Sequence, residues 1–130
     1  MDLDYTVESG RPFDAVVADV ERVTAEKMFR VLYIHDVQAT LAEKGFTRPP
    51  LKIIEICNGK FAHEALSRDI RVSIFLPCKI NVYTEGGKTI IKAMRPLAIK
   101  EMLPDSGLDA VAEGVDRIVL EIVDRAAAGK

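Results

Sequence analysis

Leu51-Lys52-Ile53-Ile54-Glu55-Ile56-Cys57 opens the stretch that decides the fold, and Asn58-Gly59 leads from it into Lys60-Phe61-Ala62-His63-Glu64-Ala65-Leu66. A second apolar run, Val72-Ser73-Ile74-Phe75-Leu76, then reaches Pro77-Cys78, and Ile80 to Met94 closes the segment. The first run reads as a strand rich in β-branched residues. Asn58 suits the cap of a helix that carries His63. The second run also reads as a strand. Gly86-Gly87, between Glu85 and Lys88, is the sequence of a two-residue hairpin turn with positive φ at both centres. Counting outward from it pairs Tyr83 with Ile90, Val82 with Ile91, Asn81 with Lys92 and Ile80 with Ala93. Cys78, Ile80, Val82, Ile91 and Ala93 share one face, which should meet helices. Asn81, Tyr83, Ile90, Lys92 and Met94 share the other, which faces water, a ligand or a partner chain.

Working outward, Asp2 to Glu8 alternates polar and apolar residues, the pattern of a half-buried strand. Ser9-Gly10 breaks it, and Pro12 suits a helix start. Phe13, Val16, Val17 and Val20 predict a helix over 11–26. Met28 to Ile34 is a nearly unbroken apolar run and predicts an interior strand. Asp36 can cap a short helix over 37–44, which Gly45 ends in a left-handed turn. Arg48-Pro49-Pro50 is a loop. After Arg95-Pro96 a short helix covers 97–103. Asp105 or Ser106 can cap a final helix that carries Leu108, Val111, Ala112, Val115, Ile118, Val119, Ile122 and Ala126 on one side. The class is α+β in one domain over 1–130, with helices packed on one face of a mainly antiparallel or mixed sheet.

Composition narrows the function classes. The chain has 130 residues, 48% of them hydrophobic and 29% charged, with a net charge of −2. That length buries a real core. Its cations are scattered, so no nucleic-acid or anionic-membrane surface is expected. The acidic start, Met1-Asp2-Leu3-Asp4-Tyr5, lacks the pattern of a secretory signal, and no apolar run approaches the ~20 residues of a membrane span. A cytoplasmic location follows as the expectation, with both cysteines reduced. The high apolar share makes a homodimer the expected assembly.

Cys57, His63 and Cys78 are the main site candidates. If the strands that end at Cys57 and before Cys78 ran side by side and parallel, the helix between them would be the crossover, and both sulfurs would gather at one sheet edge. A helix N-terminus next to Cys57 would favour its thiolate, and His63 could point toward either sulfur. Such a set could bind a soft metal through Cys57, His63 and Cys78, hold a small ligand, or supply a reactive thiol. The plainer reading makes both cysteines small buried hydrophobes. His35-Asp36 could be an acid–base pair, although capping already accounts for Asp36. Asn81, Tyr83 and Lys92 could contact a polar ligand, or simply be solvated.

Cys57-Asn58, Ala62-His63, Ala65-Leu66, Leu76-Pro77-Cys78 and Val82-Tyr83 resemble, in that order, the prokaryotic domain of unknown function 302 family. Asp36-Val37 with Ala39-Thr40-Leu41 is similar to the family's short-helix segment. The resemblance implies a small α+β domain whose curved sheet is of the TATA-binding-protein type, often dimeric, without implying DNA binding. It also implies that Cys57, Asn58, His63, Pro77 and Cys78 are the positions to carry over. This chain has Gly59 where the family shows proline and His35 where it shows an aliphatic residue. Three functions are therefore in view: a domain that binds a small ligand or soft metal at Cys57, His63 and Cys78; a thiol-redox enzyme or carrier cycling Cys57 and Cys78; and a dimeric interaction module with inert cysteines.

Overall fold

The computed structural model describes residues 2–130. Five strands, β1 (Asp4–Ser9), β2 (Arg30–Asp36), β3 (Leu51–Cys57), β4 (Cys78–Glu85) and β5 (Lys88–Met94), form one sheet in the order β1-β5-β4-β3-β2. Every pairing is antiparallel. Helices α1 (Phe13–Glu26), α2 (Val37–Ala42), α3 (Gly59–Arg68), α4 (Leu97–Met102) and α5 (Asp109–Ala128) connect or follow the strands. The sheet is open, with helices packed on one side, so the α+β expectation holds. No helix is long and apolar enough to cross a membrane among the described residues.

The core follows from strand parity. Cross-strand partners share a face, so Ile54 with Ile80, Lys52 with Val82, and Val82 with Ile91 all lie on the helix side. Ile54, Ile56, Ile80, Val82 and Ile91 are fully buried there. The hairpin has the register counted from its glycines, from Glu85 opposite Lys88 to Ile80 opposite Ala93. Gly86 and Gly87 sit at φ 60° and 77°, which a Cβ would strain. From the helices, Val16, Val20 and Val23 of α1 and Val119, Ile122 and Val123 of α5 pack against this surface.

Polar bonds fix α5 on the sheet. Tyr5 Oη donates to Asp124 Oδ1 at 2.7 Å, and Ser9 Oγ donates to the Ala127 carbonyl at 2.7 Å. Asp116, almost fully buried, accepts from Arg95 Nη2 at 2.8 Å and from the Leu97 backbone N–H at 3.2 Å. Satisfying a buried carboxylate this way removes the penalty it would otherwise carry. It also fixes the turn through Pro96 into α4.

Several local expectations fail for identifiable reasons. Residues 72–76 are not a strand: Ile70–Phe75 is a 3₁₀ helix capped by Asp69, whose Oδ1 accepts from the Arg71 N–H at 2.9 Å. The run was apolar enough for a strand, but only Val72 is buried, while Ile70 and Ile74 are 70% and 79% exposed. No parallel crossover forms either. The chain leaves β3 at Cys57, makes α3 and the 3₁₀ helix, and re-enters at Cys78 beside Ile56, so β4 runs back along β3. The run beginning at Met28 belongs to an edge strand rather than an interior one: β2 pairs only with β3, is bulged between Val31 and Tyr33, and leaves Leu32 and Tyr33 exposed. Neither Asp105 nor Ser106 caps α5; Leu108 holds the N-cap position without a side-chain bond. Asp105 instead takes a positive φ of 62° in the preceding turn. Asp36 does cap α2, accepting from the Ala39 N–H at 3.0 Å.

Asn58 caps α3 as its sequence position suggested, and does more. Its Oδ1 accepts from the Phe61 N–H at 3.0 Å while its Nδ2 donates to the Met28 carbonyl at 2.9 Å, joining α3 to the entry of β2. Asn58→Ala removes both bonds and should cost about 1–2 kcal/mol in urea unfolding, the usual range for a lost cap. A loss below a few tenths of a kcal/mol would show that neither bond contributes.

Candidate functional site

Antiparallel pairing brings the end of β3 and the start of β4 to the same edge of the sheet, which is why positions 57–58 and 77–78 meet in space. Ile56 is the direct partner of Cys78. Cys57 is offset from Cys78 by one residue and has the opposite parity along its strand. The two sulfurs are therefore not a directly opposed cross-strand pair, and both cysteines are free.

A groove lies where this sheet edge meets α3, α4 and α5. Ile56, Cys57, Asn58 and Cys78 border it on the sheet side. Phe61, Ala62 and Ala65 of α3 form one wall, and Val111, Ala112 and Val115 of α5 form another. Pro96 and Ile99 lie at its floor near α4, and Val72 and Leu76 come from the segment of the 3₁₀ helix. Its cavity volume is about 50 Å³. Among the described residues no charged side chain lines it. Small residues contribute to its walls, with Ala62, Ala65 and Ala112 among them. Gly114 plays a related part, since a Cβ there would come within 3.3 Å of the Phe61 ring.

Burial rather than activation governs the thiols. Desolvation pushes the Cys78 thiol up to about 11, with the nearby Cys57 adding to the rise and Lys79 opposing it. Desolvation likewise raises Cys57. The expected thiolate at Cys57 is thus corrected: desolvation raises this thiol above its ordinary value. The Cys57, His63 and Cys78 metal set is not assembled either. His63 is exposed on α3, away from the groove lining, with its carbonyl accepting from Ser67 Oγ at 2.7 Å. Among the described residues no three His, Cys, Asp or Glu side chains are grouped to hold a metal ion.

The remaining candidates divide between two places. Pro77, which follows a cis peptide bond, lines a second recess with Phe75, Lys79 and Met94. Cys78, Pro96 and Ile99 are shared between that recess and the groove, so the two adjoin. His35, Asn81, Tyr83 and Lys92 lie on the sheet face opposite the helices. There His35 Nε2 is 3.2 Å from Glu55 Oε2, its ring is 4.6 Å from that of Tyr33, and Lys92 Nζ stands 5.9 Å over the Tyr83 ring. Asn81 Oδ1 is buried without a hydrogen-bond partner among the described residues. His35 thus pairs with Glu55 rather than with Asp36. That partner was hidden in sequence because it depends on the β2–β3 register, which a bulge shifts. The groove's apolar walls were also missed, since helix-face alanines read simply as core. Their one signal was smallness at positions flanked by large apolar residues.

The family model described as Domain of unknown function DUF302 matches residues 5–126. Among solved structures the chain is similar to the uncharacterized conserved DUF302 protein from Bacillus stearothermophilus, with a TM-score of 0.91 and 30% sequence identity over 97% of this chain and 99% of that one. No curated protein matches the chain. A match spanning nearly the whole sequence, joined to the same fold along its whole length, leads to one conclusion: the chain belongs to the DUF302 family.

Proposed function

We propose that this protein is a binding domain for a small apolar ligand held in the groove beside Cys78. The observation that carries this reading is the groove itself, a small recess with an apolar lining that includes Ala62, Ala65 and Ala112, where the end of the sheet meets the helices. Cys57 and Cys78 supply polarizable, weakly polar surface to it. Asn58 holds its rim, both ends of its amide already bonded. Pro77 lines the adjoining recess. A redox carrier or thiol enzyme is less well supported, because both thiols are held protonated and they are not directly opposed.

A second reading concerns assembly. The face opposite the helices carries Ile53, Tyr83 and Ile90 in one area, around the unpartnered Asn81 Oδ1. A second copy of the chain seated on it would be a homodimer.

Three outcomes are expected. Titration calorimetry with a medium-chain alcohol should detect binding, and Ala112→Leu should weaken it at least tenfold while the circular dichroism spectrum stays the same; unchanged affinity would remove the groove from the account. The Cys78 thiol favours the folded state only while protonated, because its folded value lies above its unfolded one. Stability should therefore fall as pH rises from about 9 toward 11, and Cys78→Ala should flatten that part of the profile in urea unfolding. An identical profile in the variant would contradict the burial of this thiol. In sedimentation velocity the chain should run as a dimer that Tyr83→Lys shifts to monomer, whereas a wild-type monomer would end the second reading.

A further inference from the structure

The two outer strands of the sheet carry opposite charge on the face away from the helices. β4 is the middle strand, flanked by β5 and β3, with β1 and β2 at the edges. By register, Asn81 and Tyr83 of β4 lie between Ile90 and Lys92 of β5 and Leu51 and Ile53 of β3. Lys92 reaches across this strip, its Nζ 5.9 Å over the Tyr83 ring. On β1 the residues of this face are Asp4, Thr6 and Glu8, all exposed. On β2 they are Arg30, Tyr33 and His35, also exposed, while Val31 and Ile34 turn to the core. One edge is therefore acidic, the other basic, and the strip between them is mostly apolar.

Resting on the homodimer reading, we infer that a second copy covers this face, turned about a two-fold axis that runs along β4. A self-complementary patch of this kind is what an isologous contact needs. The axis lays β4 over its own copy, β5 over β3 and β1 over β2. Ile90 then meets Leu51, while Asn81 and Tyr83 meet their copies. The acidic edge of each chain lies over the basic edge of the other. Stacked sheets sit about 10 Å apart with strands within about 30°, so the edge charges face one another across a solvated rim, where they set orientation and partner choice. A two-fold running across the strands would stack β1 on β1 and β2 on β2, acid on acid and base on base. Lys79 and Glu85 do meet their own kind along β4, but both are exposed at its ends, and Lys79 Nζ donates to the Pro77 carbonyl at 3.3 Å.

Sedimentation velocity over a range of concentrations tests this with two variants of the full chain, Asp4→Lys with Glu8→Lys, and Arg30→Glu. All three residues are exposed, so both variants should keep the wild-type circular dichroism spectrum. An exposed ion pair changes affinity by at most about fivefold, and the symmetry doubles each change, so either variant alone should dissociate roughly tenfold more readily than wild type. Mixed in equal amounts they should form a heterodimer of wild-type affinity, because the reversed β1 edge of one faces the reversed β2 edge of the other. Variants that dimerise as tightly as wild type, or a mixture that does not recover, would overturn the axis while the dimer stands. A wild type that stays monomeric at every concentration removes the homodimer reading and this inference together.

Discussion

One-sided burial of an antiparallel sheet is the constraint from which the rest of this structure follows. Side chains alternate faces along a strand, so a slip of one residue between β3 and β4 would carry Ile80 and Val82 outward and bring Lys79 and Asn81 against the helices. The fully buried set of Ile54, Ile56, Ile80, Val82 and Ile91 makes that exchange prohibitive. The glycine turn sets the neighbouring register of β4 on β5, because Gly86 and Gly87 pin Glu85 opposite Lys88 and so bring Val82 opposite the buried Ile91. Two independent devices thus turn the same face of β4 inward. That agreement is the mark of a sequence that specifies a single fold.

The same pairing builds the candidate site. Because β4 returns antiparallel along β3, Cys57 and Cys78 arrive at one end of the sheet together, and the intervening α3 must fold back over that end. Asn58 ties the start of α3 to Met28, and Asp116 ties the turn at Arg95–Leu97 to α5. Those bonds hold the walls of the groove from opposite sides. What remains between them is a space that Ala62, Ala65 and Ala112 are too small to fill. Well-packed interiors leave few such spaces, because an unfilled apolar volume forfeits dispersion contacts. Its persistence beside the two sulfurs is the physical basis for reading it as a place for a ligand.

Much of the fold was legible in the sequence, and the failures share a cause. Alternation around Tyr5 and Val7, the capping residues Asp36 and Asn58, the glycine turn and the α5 stripe are local signals, and each appears where its chemistry places it. What went astray depended on tertiary partners. The run Val72 to Leu76 has strand-like composition, yet it turns into a 3₁₀ helix once Asp69 caps it and only Val72 finds a core to enter. The run through Leu32 and Tyr33 looked interior, but the sheet ends at β2. For the site, Cys57, Asn58 and Cys78 border one groove through an antiparallel pairing rather than the parallel one first expected, Pro77 lies in the adjoining recess, and His63 is exposed on α3 outside both. The thiol chemistry expected at Cys57 failed because desolvation cannot be weighed before the surroundings are known.

The central claim is that ligand enters the apolar groove rather than resting on the open face of the sheet. Backbone chemical-shift mapping in ¹⁵N-labelled protein during addition of a medium-chain alcohol distinguishes these directly. The account predicts that the largest shifts fall at Ala62, Ala65, Leu76, Cys78 and Ala112, with Tyr33, His35 and Lys92 unmoved. Shifts concentrated at Tyr33, His35, Tyr83 and Lys92, with the groove residues silent, would contradict it.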